Sequence, residues 1–201
     1  MYKYIICLLV SLPFSIVMLA QNSSNPKNKF EPENGQVLLF IGQDLEAVGG
    51  FPEYTNGYLD HFELPAGITL YTNLSQGDVS YGMTLRGLDG IQSKANWGAG
   101  DTCAQYYLDD KRFEGKMMAI GLSMVNHEKE VAKGKHDHLI EELAEWIKET
   151  NRPIFLRIGY EFDGFDWNGY SRKHFLKAWK RIHQIFRDRN VTNVAFVWQS
   201  K

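Results

Sequence analysis

Five short apolar runs set the tightest limit on the fold. They read QVLLFIG (36–42), GITLYTNL (67–74), KMMAIGLSMV (116–125), RPIFLRIGYE (152–161) and NVAFVWQS (193–200). Each is nearly continuous in apolar character and rich in β-formers, with turn formers at its borders, which is the signature of a strand. Strands that do not alternate polar with apolar are covered on both faces, as in parallel sheets. Helical patterns fill the gaps between the later strands. In HLIEELAEWIKET, from His138, Leu139, Leu143 and Ile147 form one stripe, and Asn151-Arg152-Pro153 ends the helix. From Ser171, a sensible N-cap, Phe175, Trp179, Ile182 and Phe186 recur at helical spacing up to Asn190. Residues 117–200 therefore read as two βαβ units. Before them, the Gly-rich stretch 73–110 reads as a long loop that leads into a helix near Ala104. Long βα loops in α/β proteins are commonly functional.

The chain has 201 residues, enough for one domain with a real core. Residues 1–20, MYKYIICLLVSLPFSIVMLA, carry Lys3 and then an apolar stretch ending at Ala20, the layout of a secretory signal peptide. An uncleaved N-terminal anchor is the alternative. Residues 21–34 are polar and rich in Pro and Asn, and read as a disordered lead-in. The folded domain is expected at 35–201. Cys7 lies in the leader, which leaves Cys103 alone, so no internal disulfide supports the fold. The net charge of −2 comes with no basic stripe, which argues against a nucleic-acid partner. A membrane is expected to be met only through the leader, and the location is expected to be secreted or periplasmic.

The fourth run carries the chemistry. By strand parity Phe155, Arg157, Gly159 and Glu161 share one face, and Ile154, Leu156, Ile158 and Tyr160 share the other. A polar inner face against an apolar outer face is how a strand of an α/β barrel looks where its end builds an active site. Arg157 and Glu161 are separated by roughly 13 Å of strand, too far to pair directly. Arg157 is expected to organise a polar network beneath the site. The following loop, FDGFDWNGY, offers Phe162, Phe165, Trp167 and Tyr170 beside carboxylates and an amide. Flat aromatics with hydrogen-bonding groups suit a sugar ring. A strand-end carboxyl in such a cleft can act as a general acid, which points to glycoside hydrolysis with Glu161 as acid/base.

The stretches PIFLRIGYEFDGFDWNGY and FLKAWKRIHQIFRDRNVTNVAFVWQS resemble glycoside hydrolase family 26, the family of β-mannanases. The likeness is clear over about 118–200 and weaker before it. It implies a (β/α)8 TIM barrel, of which this chain holds about the first five βα units. It also implies a retaining endo-β-glycanase with Glu161 as acid/base and a polysaccharide or oligosaccharide substrate. Arg157, Tyr160, Asp163, Trp167 and Trp198 are the expected substrate-binding residues. Tyr160 stands where mannanases usually have histidine, and Asp163 where they have asparagine. The family's nucleophile is a glutamate at the end of the seventh strand, and this chain reaches just past the fifth. The expectation is a C-terminally incomplete domain, inactive alone. The alternative is a non-catalytic, carbohydrate-binding remnant.

Other residues are open to more than one reading. His136 and His138 lack an evident third ligand, so no metal is expected, and no cofactor. His127, after the third run, either points into the cleft or is a loop histidine. Gln43 and Asp44 end the first run and could line the same rim. Trp198 is a sugar platform or a core tryptophan. NWGAGD lacks the strand–glycine–helix context of a phosphate loop. Sequons occur at Asn22, Asn73 and Asn190.

Overall fold

The computed structural model describes residues 29–201, so the leader and most of the lead-in lie outside the described residues. Five strands form one parallel sheet: β1 (Phe40–Ile41), β2 (Gly67–Asn73), β3 (Met117–Ser123), β4 (Ile154–Ile158) and β5 (Val194–Val197). Their spatial order follows their sequence order. That is the order of successive βα units in part of a barrel. Among the described residues the sheet does not close, and β1 and β5 lie at its two edges.

The pairing register stacks residues into rows. Leu70, Ile120, Leu156 and Phe196 form one row, and Ile68, Met118, Ile154 and Val194 another. From β2 to β4 these side chains are at most 1% exposed. They belong to one core with the apolar stripes of α4 (Asp137–Thr150) and α5 (Arg172–Asp188), from Leu139 to Ile147 and from Phe175 to Phe186. The apolar side of the fourth run faces helices, as parity requires. Three shorter helices, α1 (Leu45–Val48), α2 (Ala104–Asp109) and α3 (Glu128–Ala132), lie in the connections.

Helix ends follow local chemistry. Asn151 closes α4 in the left-handed conformation, with φ of 54°. Ser171 occupies the N-cap position of α5, but its hydroxyl meets the His174 ring at 3.1 Å and caps no backbone N–H. Asp137 at the start of α4 takes Arg181 of α5 through Nε at 2.6 Å and through a second, shorter contact at Nη2. Arg189 reaches Glu141 and Glu145, both at 2.8 Å. These pairs hold α5 against α4.

The other face of the sheet is layered. At its lower end the rings of Phe30 and Phe40 meet Phe155 edge-on, at 5.2 and 5.4 Å. Phe30 belongs to the segment read from sequence as a lead-in, so at that residue the chain is docked on the sheet. One row higher stand Tyr71, Gly121 and Arg157. Gly121 is needed there, because a Cβ would come within 2.6 Å of the Tyr71 ring and 2.9 Å of the Tyr160 ring.

Two expectations are corrected. The first run pairs only at Phe40–Ile41, and Val37 and Leu39 are 87% and 49% exposed. β1 lies at the sheet edge and its partner β2 begins only at Gly67, opposite Phe40, so the start of the run has no strand beside it. The fourth strand stops at Ile158 rather than running on to Glu161, because Gly159 and Glu161 both take positive φ, 56° and 52°. Strand parity therefore fails past Ile158. Tyr160, expected on the helix side, instead meets the Tyr71 ring edge-on at 5.0 Å, on the side of Arg157.

Leu156 is fully buried at the centre of the sheet. Leu156→Ala should lower stability by about 2–5 kcal/mol, read as a lower urea midpoint at unchanged slope.

Candidate active site

A cleft of about 590 Å³ opens beyond the C-terminal ends of β2, β3 and β4. Its floor is built by strand-end residues, Tyr71, Asn73 and Ser123. One wall comes from the loop after β4, with Tyr160, Glu161, Trp167 and Asn168. Another comes from the loop after β2, with Asp78, Tyr81 and Trp97 among its residues. Ligands of parallel α/β folds bind at this end, where the βα loops gather.

Glu161 is partly buried, and its backbone is set by the loop that follows. Its carbonyl accepts from Gly164 N–H at 2.7 Å and from Asn168 Nδ2 at 2.8 Å. Asn168 also donates to the Tyr160 carbonyl at 2.8 Å. A non-glycine residue at positive φ is costly, and such strain persists where surrounding bonds over-determine it. Here the buried Asn168 amide does so, tying down two successive carbonyls. The Glu161 carboxylate accepts from Trp167 Nε1 at 3.0 Å. That indole lies so close to Gly164 that a Cβ there would sit 2.3 Å from the ring. The glycine lets Trp167 fold back onto Glu161.

Arg157 lies beneath. Its guanidinium is 5.0 Å from the Tyr71 ring centre and 5.6 Å from that of Tyr160, within cation–π range. Nη1 donates to Gln199 Oε1 at 3.3 Å, while Nε and Nη2 are buried without a protein partner among the described residues. No ion pair joins it to Glu161 among the described residues. Burial holds the Tyr160 hydroxyl well above the usual tyrosine range. Tyr170, whose hydroxyl accepts from Met124 N–H at 3.1 Å, is pushed up to about 12, chiefly by burial. Both hydroxyls therefore keep their protons at neutral pH.

Of the residues expected from sequence, Glu161, Tyr160 and Trp167 line the cleft together, and Arg157 supports them from below. Asp163 and Trp198 are not among the lining residues. The Asp163 carboxylate accepts from Lys201 N–H at 2.8 Å and so ties the loop to the segment after β5. Trp198 continues the parity of Phe196 and therefore stands on the helix side. It packs against Phe162 at 4.6 Å, Phe175 at 5.5 Å and Trp179 at 5.7 Å. Gln43 does reach the rim, whereas Asp44 turns back to cap α1 through Ala47 N–H at 2.6 Å.

His127 meets Asp78 at 2.8 Å and stands edge-on to His136 at 5.1 Å. Burial lowers the His136 pKa, and the neighbouring His127 and His138 lower it further. Asn73, one of the sequons, is 3% exposed. It is held by Asp89 at 3.1 Å and by Ser75 N–H at 2.8 Å, so its amide belongs to the cleft floor. Sequence reasoning did not single out Asn168 or the structural role of Asn73. Asn168 had one signal: a lone amide in a carboxylate-rich loop needing partners for its turn carbonyls.

No protein-family model matches the chain. A β-1,3-xylanase from an Alcaligenes species and the β-1,3-xylanase TXYA from a Vibrio species are each 27% identical to it over 172 residues, 85% of the chain. The match covers 32% and 33% of those proteins, so the chain spans about a third of the length of the curated relatives it matches.

Gly164→Ala should displace the Trp167 indole and break its bond to Glu161. The check is the assigned Trp167 Nε1–H resonance, which should shift while the resonances of β3 and β4 hold their positions.

Proposed function

We propose that the chain is part of an exported glycoside hydrolase, an endo-acting glycanase that cleaves β-linked polysaccharide with retention and uses Glu161 as the acid/base. The observation that carries this is the Glu161 carboxylate, held by the Trp167 indole at 3.0 Å in an aromatic-walled cleft at the strand ends. A carboxyl fixed by a side-chain donor at the wall of a cleft is placed to give a proton to a leaving glycosidic oxygen. Asn168 acts by setting the backbone that aims it. Tyr160 and Arg157 form the polar and aromatic base on which a sugar would rest. Tyr71 extends that base.

The similarity to two β-1,3-xylanases supports the glycosidase reading and turns the substrate away from mannan, toward xylan. The tyrosine at position 160 fits that turn, because it replaces the histidine usual in mannanases. Retention needs a second carboxylate about 5–5.5 Å from the first. In this reading the nucleophile is supplied by a part of the protein outside residues 1–201. Export rests on the charged-then-apolar leader at 1–20.

The test uses the protein that carries this chain on β-1,3-xylan, other xylans, mannan and mixed-linkage glucan, with products followed by NMR for the anomer first released. Release of the retained anomer from a β-linked xylan is expected. Glycan binding without hydrolysis would give the non-catalytic remnant, and neither binding nor hydrolysis would overturn the reading. Glu161→Gln should lower kcat on unactivated polysaccharide by about 10²–10⁴-fold with little change in KM.

A further inference from the structure

The loop after β2 carries two small hairpins that the proposed chemistry does not use. Val79–Ser80 pairs with Met83–Thr84, and Ala95–Asn96 pairs with Asp101–Thr102. In the first, Ser80 faces Met83, so Tyr81 and Gly82 form a two-residue turn, with φ of 51° and 77°. Both central residues at positive φ define a type I′ turn, which favours Asn, Asp or Gly at its first position. A tyrosine there is conformationally costly. Its ring gains little burial in return, since Tyr81 is 68% exposed. The ring lies over Gly98 of the second hairpin, where a Cβ would come within 2.9 Å of it. Glycine at 98 lets the Tyr81 ring rest against the second hairpin and leaves the rest of the ring uncovered.

Trp97 stands next to that glycine and lines the same cleft as Tyr81 and Glu161. Its indole Nε1 is buried and has no hydrogen-bond partner among the described residues. Asn96 fixes the turn that presents it, accepting from Gly98 N–H at 2.9 Å and donating to Asp101 at 3.0 Å. A buried, unused indole N–H beside a strained, uncovered aromatic ring is an arrangement that fold stability does not ask for. A ligand with an apolar face and a hydroxyl rim would satisfy both.

We infer that Tyr81 and Trp97 form a glycan-binding subsite on the β2-loop wall of the cleft. The Tyr81 ring stacks on the CH face of a sugar residue, and Trp97 Nε1 donates to a hydroxyl of the same chain. The subsite rests on the glycanase reading and extends it, because it assigns substrate binding to a second loop, separate from the one that bears Glu161.

The test is calorimetric binding of a β-1,3-linked xylo-oligosaccharide to the Glu161→Gln protein, which removes turnover. Tyr81→Asn and Trp97→Phe are added singly to that background. Tyr81→Asn should weaken binding about tenfold, from loss of the aromatic platform. It should also raise the thermal midpoint, because Asn relieves the turn. Trp97→Phe keeps a ring and loses only the N–H, and should weaken binding about 3–10-fold. If both variants bind as tightly as the parent, the subsite is wrong and the glycanase reading stands. If Tyr81→Asn lowers the thermal midpoint and leaves affinity unchanged, the tyrosine is structural and the subsite is again wrong. If neither the parent nor the wild-type protein binds or cleaves any glycan of the panel, the functional reading falls and the subsite falls with it.

Discussion

A left-handed break in the backbone at Gly159–Glu161 governs the mouth of the cleft. Had β4 continued as a regular strand, Glu161 would have followed Arg157 in parity, and Tyr160 would have turned toward the helices. The positive φ at both positions instead rotates Tyr160 onto the Arg157 side and lifts Glu161 to the rim. Glycine adopts that conformation freely, whereas the glutamate does so only because its carbonyl is held by Gly164 and Asn168. One amide side chain, 8% exposed, therefore links the loop's fold to the position of the carboxylate.

The layers below the break form a graded support. Phe30, Phe40 and Phe155 seal the lower end with apolar contact. Arg157 sits above them between two tyrosine rings, where its charge is offset by cation–π contact and by Gln199. Only Gly121, lacking a side chain, lets both rings approach. The polarity of this face thus rises from the N-terminal to the C-terminal ends of the strands, while the helix-covered face is apolar except for the buried Thr72 at the end of β2. That division is why the cleft forms at one end of the sheet and the stabilising core lies behind it.

Strained left-handed backbone recurs around the cleft, at Tyr81, Asn126 and Glu161. Asn tolerates the conformation well, but Tyr and Glu do not. At both costly positions the side chain is aimed at the cleft rather than into the core. The two walls therefore share a device: a strained backbone on a loop presents a side chain to the cleft.

The sequence by itself determined the five strands, the two long helices and Glu161 as the residue to watch. These depend on local patterns: apolar runs, 3.6-residue stripes and a carboxylate at the end of an apolar run. It also marked Trp167 and Tyr160 as cleft residues, although by a parity that misplaced the face of Tyr160. Only the tertiary structure decided which neighbours line the cleft. Trp198 and Asp163 look equivalent to Trp167 in sequence, yet strand parity past β5 sends Trp198 to the helix side, and Lys201 draws Asp163 away. Asn168, Tyr81 and Trp97 gave almost no sequence signal, because their places in the cleft depend on carbonyls, glycines and loops brought together across the sheet. Period and composition report which residues are buried along one element. The sign of φ at a strand's end, and the loop that meets it from another strand, are set by packing between elements.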